Sequence, residues 1–324
     1  MYRLLMSAAL AATFAMTSTA ATAADAYPDR PVRLIVPQSA GSGGDVVARL
    51  LADKLGAELG QSIVVDNRAG ANGIVGTAFV AKQPADGYTL LLTGASQVTF
   101  NQHLYKSLAY DPQKDFTYIA PVVDTPFVVV ASKASGITSM ASFIEKAKAK
   151  PGGLTFSSAG VGNSTHLAME VLADKAGVKM THVAYKGSGP ALTGVIAGEV
   201  DAMVSVLGTA LPQITSGNVV PVAVIGDKRV PQLPNVPTVK EAGLTLPAIP
   251  AWYALLGPAN LDPKIVARLN QAVQRFLADP QVRTKLAGLY LDPIGGSADS
   301  IKQRAFGDSK TWGEVIRKLG IQNS

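Results

Sequence analysis

At 324 residues the chain has room for about two domains of ordinary size, and with 48% hydrophobic and 16% charged residues it is globular rather than disordered or a charged coiled coil. It contains no cysteine, which excludes disulfide scaffolds, thiolate zinc sites, iron–sulfur clusters and cysteine nucleophiles together. The formal charge of +6 favours anionic partners, but no motif adds the basic surface that would make nucleic acid the expected one.

The N-terminus reads as a secretory signal. Residues 1–3 are cationic, residues 4–16 are small, apolar and uncharged over a length too short for an ordinary membrane span, and the A-x-A pattern at 21–23 predicts cleavage after Ala23. A second A-x-A pattern follows at 24–26. No later apolar run could span a membrane, and the missing cysteine excludes a lipoprotein anchor, so a free periplasmic protein is expected.

Residues 32–36 form a β-branched, apolar run that predicts a strand, closed by the glycine-rich PQSAGSGG at 37–44. Val46, Val47, Leu50, Leu51, Leu55 and Leu59 then keep helical spacing up to Gly60. A strand at 63–65, the turn NRAGANG at 67–73, a helix at 76–82 and a strand at 88–92 complete a β-α-β-α-β unit. Such alternation predicts a parallel sheet covered on both faces. The pattern begins again with strands at 127–131, 154–157, 181–185, 202–206 and 220–225, helices at 140–149, 165–175 and 191–197, and glycine turns at 159–163 and 186–190. Residues 228–251 hold five prolines and predict an irregular connector. A strand at 252–256 and helices near 263–278, 281–288 and 299–319 follow, the helices being expected to cover the first sheet. Chain crossings near 118–126 and 251–257 predict a hinge between two lobes that closes on a ligand.

The recurring chemical feature is a strand, a glycine-rich turn and a helix start. The first N–H groups of a helix have no intrahelical partner and lie at the positive end of its dipole, so turns of this kind at the carboxyl ends of strands suit an anion. Enzyme signatures are missing: neither G-x-G-x-x-G, nor a P-loop, nor G-x-S-x-G occurs. His166 with Glu170 four residues on makes half a metal site and is read as structural; Trp252 and Tyr253, in an apolar strand, are read as core.

Six segments, YPDRPVRLIVP (27–37), GGDVVARLLADKL (43–55), NRAGANGIVGTAFVAKQPADGYTLL (67–91), SAGVGNSTHLAMEVL (158–172), YKGSGPAL (185–192) and PNVPTVKEAGL (234–244), resemble the periplasmic receptors of tripartite tricarboxylate transporters, the Bug receptors. The resemblance implies a two-lobed Venus-flytrap α/β fold, each lobe a mainly parallel sheet covered by helices, a ligand held between the lobes, and no catalysis. It also implies carboxylates gripped by backbone amides and water around 38–44 and 71–73, and membrane transporter subunits as partners. The chain departs from the family where Gln38 and Ser39 follow Pro37 in place of the usual Pro-Phe, and where Gly194 and Ser205 replace a common Asp; Ser205 argues against an amino-acid ligand.

The expected organisation is therefore a signal at 1–23, one lobe from 24–124 and 252–324, and a second from 125–251. The expected ligand is a small carboxylate carrying an aromatic ring or a second carboxylate, without cofactor, metal or nucleic acid, in a monomer. Candidate ligand-binding residues are Gln38, Ser39, Gly41, Ser42, Gly43, Gly44, Ala71, Asn72, Gly73, Ser96, Ser158, Asn163, Thr165 and Ser205. The alternatives are an exported protein that signals to a membrane sensor and an exported α/β enzyme.

Overall fold

A computed structural model describes residues 27–322, so the expected signal and its cleavage site lie outside the described residues. The chain runs β1 (Val32–Val36), α1 (Gly43–Leu59), β2 (Ile63–Asn67), α2 (Ile74–Ala81), β3 (Thr89–Gly94), a π-helical turn (Ser96–Phe100) continued by α3 (Asn101–Leu104), β4 (Phe116–Asp124), β5 (Phe127–Ser132), α4 (Met140–Ala149), β6 (Thr155–Ser158), α5 (Ser164–Ala176), β7 (Thr181–Ala184), α6 (Ser188–Ala197), β8 (Ala202–Val206), α7 (Leu207–Thr215), β9 (Val219–Ile225), β10 (Trp252–Pro258), α8 (Pro263–Ala278), α9 (Pro280–Gly288), β11 (Asp292–Pro293) and α10 (Ala298–Leu319).

Two sheets result, ordered β11-β4-β10-β3-β1-β2 and β7-β6-β8-β5-β9. They are mixed. Strands β1, β2 and β3 are mutually parallel, as are β6, β7 and β8, while β10 runs antiparallel to β3 and β4, and β5 antiparallel to β8 and β9. The direction of chain entry explains the reversal. The carboxyl ends of the parallel strands of both sheets face one cleft, so a strand that arrives across the cleft enters its new sheet at that edge and must run away from it. β5 and β10 are these two arriving strands, and the backbone N–H of Thr125 donates to the carbonyl of Ala251 where the crossings lie side by side (2.9 Å).

The crossing expected near 118–126 is for most of its length strand β4, paired with β10 and β11; only residues 125 and 126 separate it from β5. Pro121 obscures this strand in the sequence, since proline cannot donate to a ladder. The pairing accommodates it by a register shift: Tyr253 faces Val123 but Ala254 faces Pro121, so Val122 bulges. β9 repeats the device, with Val129 opposite Ala223 and Val130 opposite Pro221. Helix α7 was not anticipated either, because Pro212 interrupts its pattern.

Each sheet is buried on both faces. α1, α8 and α9 close one side of the first sheet, with Val47, Leu51, Leu55, Leu269, Phe276 and Leu286 in its core. α2, α10 and the π-helical turn close the other. In the second sheet α4 and α5 cover one face and α6 and α7 the other. A further apolar cluster belongs to both lobes: Phe100, Leu104, Trp312 and Ile316 from the first meet Leu167 and Val171 of α5. Around it, Trp312 Nε1 donates to the Ala248 carbonyl (3.0 Å) and Lys318 pairs with Asp174 (3.0 Å).

Candidate functional site

The turns at the carboxyl ends of β1, β2, β3, β6 and β7 line a cavity of about 660 Å³ between the lobes, floored by the crossings at Thr125, Phe127, Ala251, Trp252 and Tyr253. Its size suits a small organic molecule. Among the described lining residues Lys186 is the single charged side chain; no Asp or Glu takes part.

The first wall is built by the β1–α1 turn. Ser42 caps α1, its Oγ accepting from the Asp45 N–H (3.3 Å), and Gly60 ends the helix with a left-handed φ of 72°. The Asp45 carboxylate folds back to accept the Gly41 N–H (2.9 Å) and is bridged by Arg49 Nε (3.0 Å). Burial alone would raise its pKa, but these bonds from Arg49 and Gly41 outweigh burial and hold it below the usual carboxylate value. Gln38 Oε1 accepts from the Gly44 N–H (3.2 Å) and from the Tyr253 hydroxyl (3.3 Å). Burial raises the pKa of that phenol, keeping it a neutral donor.

The second turn carries the strongest backbone signal among the described residues. Gly70, Ala71, Asn72 and Gly73 all have positive φ, of 134°, 46°, 50° and 82°, and two of them are not glycine. Left-handed conformations at non-glycine residues cost free energy and persist only where surroundings impose them. Here a buried polar network imposes them. The Asn72 carbonyl accepts from Gln97 Nε2 (3.1 Å) and Asn101 Nδ2 (3.3 Å), Asn72 Nδ2 donates to Asn101 Oδ1 (2.9 Å), and Asn101 Nδ2 also donates to the Tyr110 hydroxyl (3.0 Å), which donates to the Gln97 carbonyl (2.6 Å). Gly73 cannot be replaced freely, since an added Cβ would stand 2.7 Å from Gln97 Nε2. Asn101→Leu removes the hub of this network and strands buried groups on Asn72 and Tyr110, so urea unfolding should show a loss of about 2 kcal/mol; a loss under 0.5 kcal/mol would mean that the turn holds itself.

In the second lobe, Asn163 Oδ1 caps α5 by accepting from the Thr165 N–H (3.1 Å), while Thr165 Oγ1 accepts from the Ala159 N–H (3.0 Å). Ser96 of the first lobe reaches the same helix start, its Oγ accepting from the Ser164 N–H (3.2 Å) and lying 2.9 Å from Ser164 Oγ. α6 begins at Gly187, which supplies no side-chain cap.

Of the sequence candidates, Gln38, Ser39, Ser42, Gly43, Ala71, Asn72, Gly73, Ser96, Asn163 and Thr165 line the cleft. Four lie outside the lining. Gly41 makes the turn behind it, with φ 77°, and Gly44 faces Gln38 and Tyr253. Ser158 is fully buried, its Oγ 2.6 Å from His182 Nε2. Ser205 is fully buried and donates to the Val206 carbonyl (3.2 Å); side chains alternate along a strand, so Val206 faces the cleft instead. Gly194 also lies away from the lining and is required by packing, because a Cβ there would collide with the Tyr185 hydroxyl. His166 behaves structurally: Nδ1 accepts the Gly162 N–H (3.1 Å) and Nε2 lies 3.4 Å from Glu170, within a stack with His182 and Phe156. Trp252 and Tyr253 are buried as expected and also form the cleft floor. Gln97, Tyr105, Ser164, Tyr185 and Lys186 were not singled out, although a Gln and an Asn four residues apart within the buried 95–101 stretch could have marked the network.

A two-lobed α/β protein with its cleft at the carboxyl ends of both sets of parallel strands has the architecture of a solute-binding receptor. The family model for the tripartite tricarboxylate transporter family receptor, TctC, matches residues 47–321, and the chain belongs to that family. It is 34% identical to protein BugT of Bordetella pertussis over 304 residues, covering 94% of this chain and 93% of BugT. Among solved structures it is similar to an R. palustris protein with adipate, at 33% identity and a TM-score of 0.88 over 91% of this chain and 99% of the other. It is also similar to MatC from Rhodopseudomonas palustris with bound malate, at 31% identity and a TM-score of 0.84 over 90% and 100%. The family resemblance carried by the six sequence segments is borne out.

Proposed function

We propose that the protein captures a small carboxylate between its lobes in the periplasm, after export and cleavage near Ala23, and delivers it as a monomer to the membrane subunits of a tripartite transporter. The observation that carries this reading is the electrostatic character of the cleft. The N-termini of α1, α2, α5 and α6 open onto it, Lys186 stands at its wall, and no carboxylate side chain takes part among the described lining residues. Converging helix termini stabilise an anion with uncharged donors. The adipate and malate in the two similar structures support a carboxylate of this size. The ten lining candidates, led by the turns at 38–43 and 71–73, are the proposed contacts. Lobes of 24–124 with 252–324, and of 125–251, are the proposed moving bodies.

A melting screen tests this. A carboxylate present at a hundred times its dissociation constant should stabilise the fold by about 2.7 kcal/mol, a plain thermal shift. Dicarboxylates, monocarboxylates and aromatic acids are to be compared with their matching amides, and Gly43→Val, which pushes a side chain toward the Tyr253 hydroxyl 3.2 Å from the Cβ position, should lose the shift. Equal shifts with acids and amides would sink the carboxylate reading.

A further inference from the structure

Resting on the carboxylate reading above, the hydrogen bonding of the first turn assigns a specific role to one side chain: we propose that Gln38 is a specificity-determining residue, whose locked carboxamide presents only N–H donors to the cleft and so accepts ligand oxygen while rejecting ligand N–H. The α1 start is less open to an anion than its sequence suggests. The Gly41 N–H is taken by Asp45 Oδ2, the Asp45 N–H by Ser42 Oγ, and the Gly44 N–H by Gln38 Oε1. A side-chain amide oxygen therefore sits where an anion would otherwise accept from Gly44.

The orientation of that amide follows from its neighbours. A backbone N–H can only donate, so the atom facing Gly44 is the oxygen, and the Tyr253 hydroxyl must donate to it as well. The phenol is buried and neutral, so it keeps its proton for this bond. Gly44 is glycine for the same reason: a Cβ there would meet Gln38 and stand 3.0 Å from the Tyr253 ring. The Gln38 backbone is pinned too, its carbonyl accepting from Asn67 Nδ2 (3.1 Å). Two donors on one face of the carboxamide leave its Nε2 group directed away from them, and no protein acceptor among the described residues holds that group. Turning the amide over to offer oxygen to a ligand would break the Gly44 bond and set an N–H against an N–H, while the Tyr253 bond would have to reverse, the hydroxyl accepting from Nε2 instead of donating. The cleft therefore reads acceptor from donor at this position, which a hydrophobic side chain would not do.

The test uses Gln38→Glu in the full mature chain. A carboxylate keeps the bonds from Gly44 and Tyr253, so the fold is retained, but it replaces the N–H donors in the cleft by an anionic oxygen. Adipate, malate and benzoate are titrated beside adipamide, malamide and benzamide. Expected for Gln38→Glu is at least a tenfold weaker affinity for whichever acid the unmodified protein binds, recovering as the pH falls through the carboxyl range, with no weakening toward the amides. A merely structural role would give no such pH profile. As a second variant, Tyr253→Phe removes one of the two locking bonds and should narrow the acid-over-amide ratio by about threefold or more. If the unmodified protein binds an acid and Gln38→Glu binds it within twofold at pH 7.5, or if Tyr253→Phe leaves the ratio unchanged, the role assigned to Gln38 is wrong while the carboxylate reading stands. An unmodified protein that binds none of the acids overturns both.

Discussion

Trp312→Ala is expected to lower the unfolding free energy by about 3–5 kcal/mol, the range for deleting a buried tryptophan, and to loosen one lobe against the other. The side chain is 1% exposed, packs against Phe100 with ring centroids 5.1 Å apart, and donates from Nε1 to Ala248. Its apolar neighbours come from both lobes, so the cavity left by alanine opens at their seam rather than within either core. The seam also fixes how the cleft can move. Lobes joined only by the crossings at 125–126 and 251 could swing freely, but an apolar cluster along α5 and α10 resists separation on that side, and the Ser96–Ser164 contact adds to it. Opening is therefore expected at the cleft edge away from α10. Urea unfolding and small-angle scattering check both halves: a loss under 1 kcal/mol, or an unchanged radius of gyration in ligand-free Trp312→Ala, would show that the seam does not hold the lobes.

The second large effect is a loss of stability in mild acid centred on His182. Burial pushes its pKa down to about 4, the neighbouring His166 adds to the shift, and Glu170 opposes it. The imidazole stacks against His166, at 3.9 Å, and against Phe156, at 4.9 Å, with Nε2 against Ser158 Oγ. An unfolded chain takes up this proton near pH 6.5 and the folded protein only near 4, so between those values the unfolded state holds more protons and acid favours it. The contribution is complete above pH 6.5, falls as the pH drops, and is gone below 4; because the ring keeps partial access to solvent, screening holds its size to about 1–2 kcal/mol. His182→Phe keeps a ring in the stack and removes the titration. The difference in stability between the native chain and this variant should shift by about 1–2 kcal/mol against the native chain from pH 7 to 4.5. A difference that stays constant over that range would remove His182 as the cause. The carboxylates held low by hydrogen bonds, such as Asp45 and Asp279, titrate in both proteins and cancel in the comparison.

The contrast between what the sequence discloses and what it hides has physical causes. Residues 32–60 are legible because three independent signals agree there: a β-branched run, a glycine-rich turn, and an apolar stripe at helical spacing closed by a left-handed glycine. β4 is hidden because its proline is tolerated only through a bulge, and a bulge depends on the partner strand. The cleft turns are legible as glycine, serine and asparagine clusters, while Ser158 and Ser205 look the same in sequence as lining residues. Which face of a strand end meets the cleft is decided by sheet register and by the helices above it. The polar floor beneath the 70–73 turn is hidden for another reason: Gln97, Asn101 and Tyr110 are each ordinary alone, and only the fold brings Gln97 and Asn101 within hydrogen-bonding distance of Asn72, with Tyr110 bonded to both of them.

The order of strands in the first sheet governs how the chain can acquire its structure. β10 lies between β3 and β4, pairing Tyr253 with Gly94 on one side and Val123 on the other. Until residues 252–258 arrive, the first sheet lacks an interior strand, and β4 has no place beside β3. The second sheet, by contrast, is a contiguous stretch whose strands all fall between residues 127 and 225. Short sequence separations close their loops at lower entropic cost and fold faster. The second lobe therefore assembles first, with the N-terminal strands waiting as a partly formed sheet whose exposed edges invite aggregation or chaperone binding. In a pulse-labelling experiment, amides of β6 and β8 would gain protection ahead of those in β3 and β4.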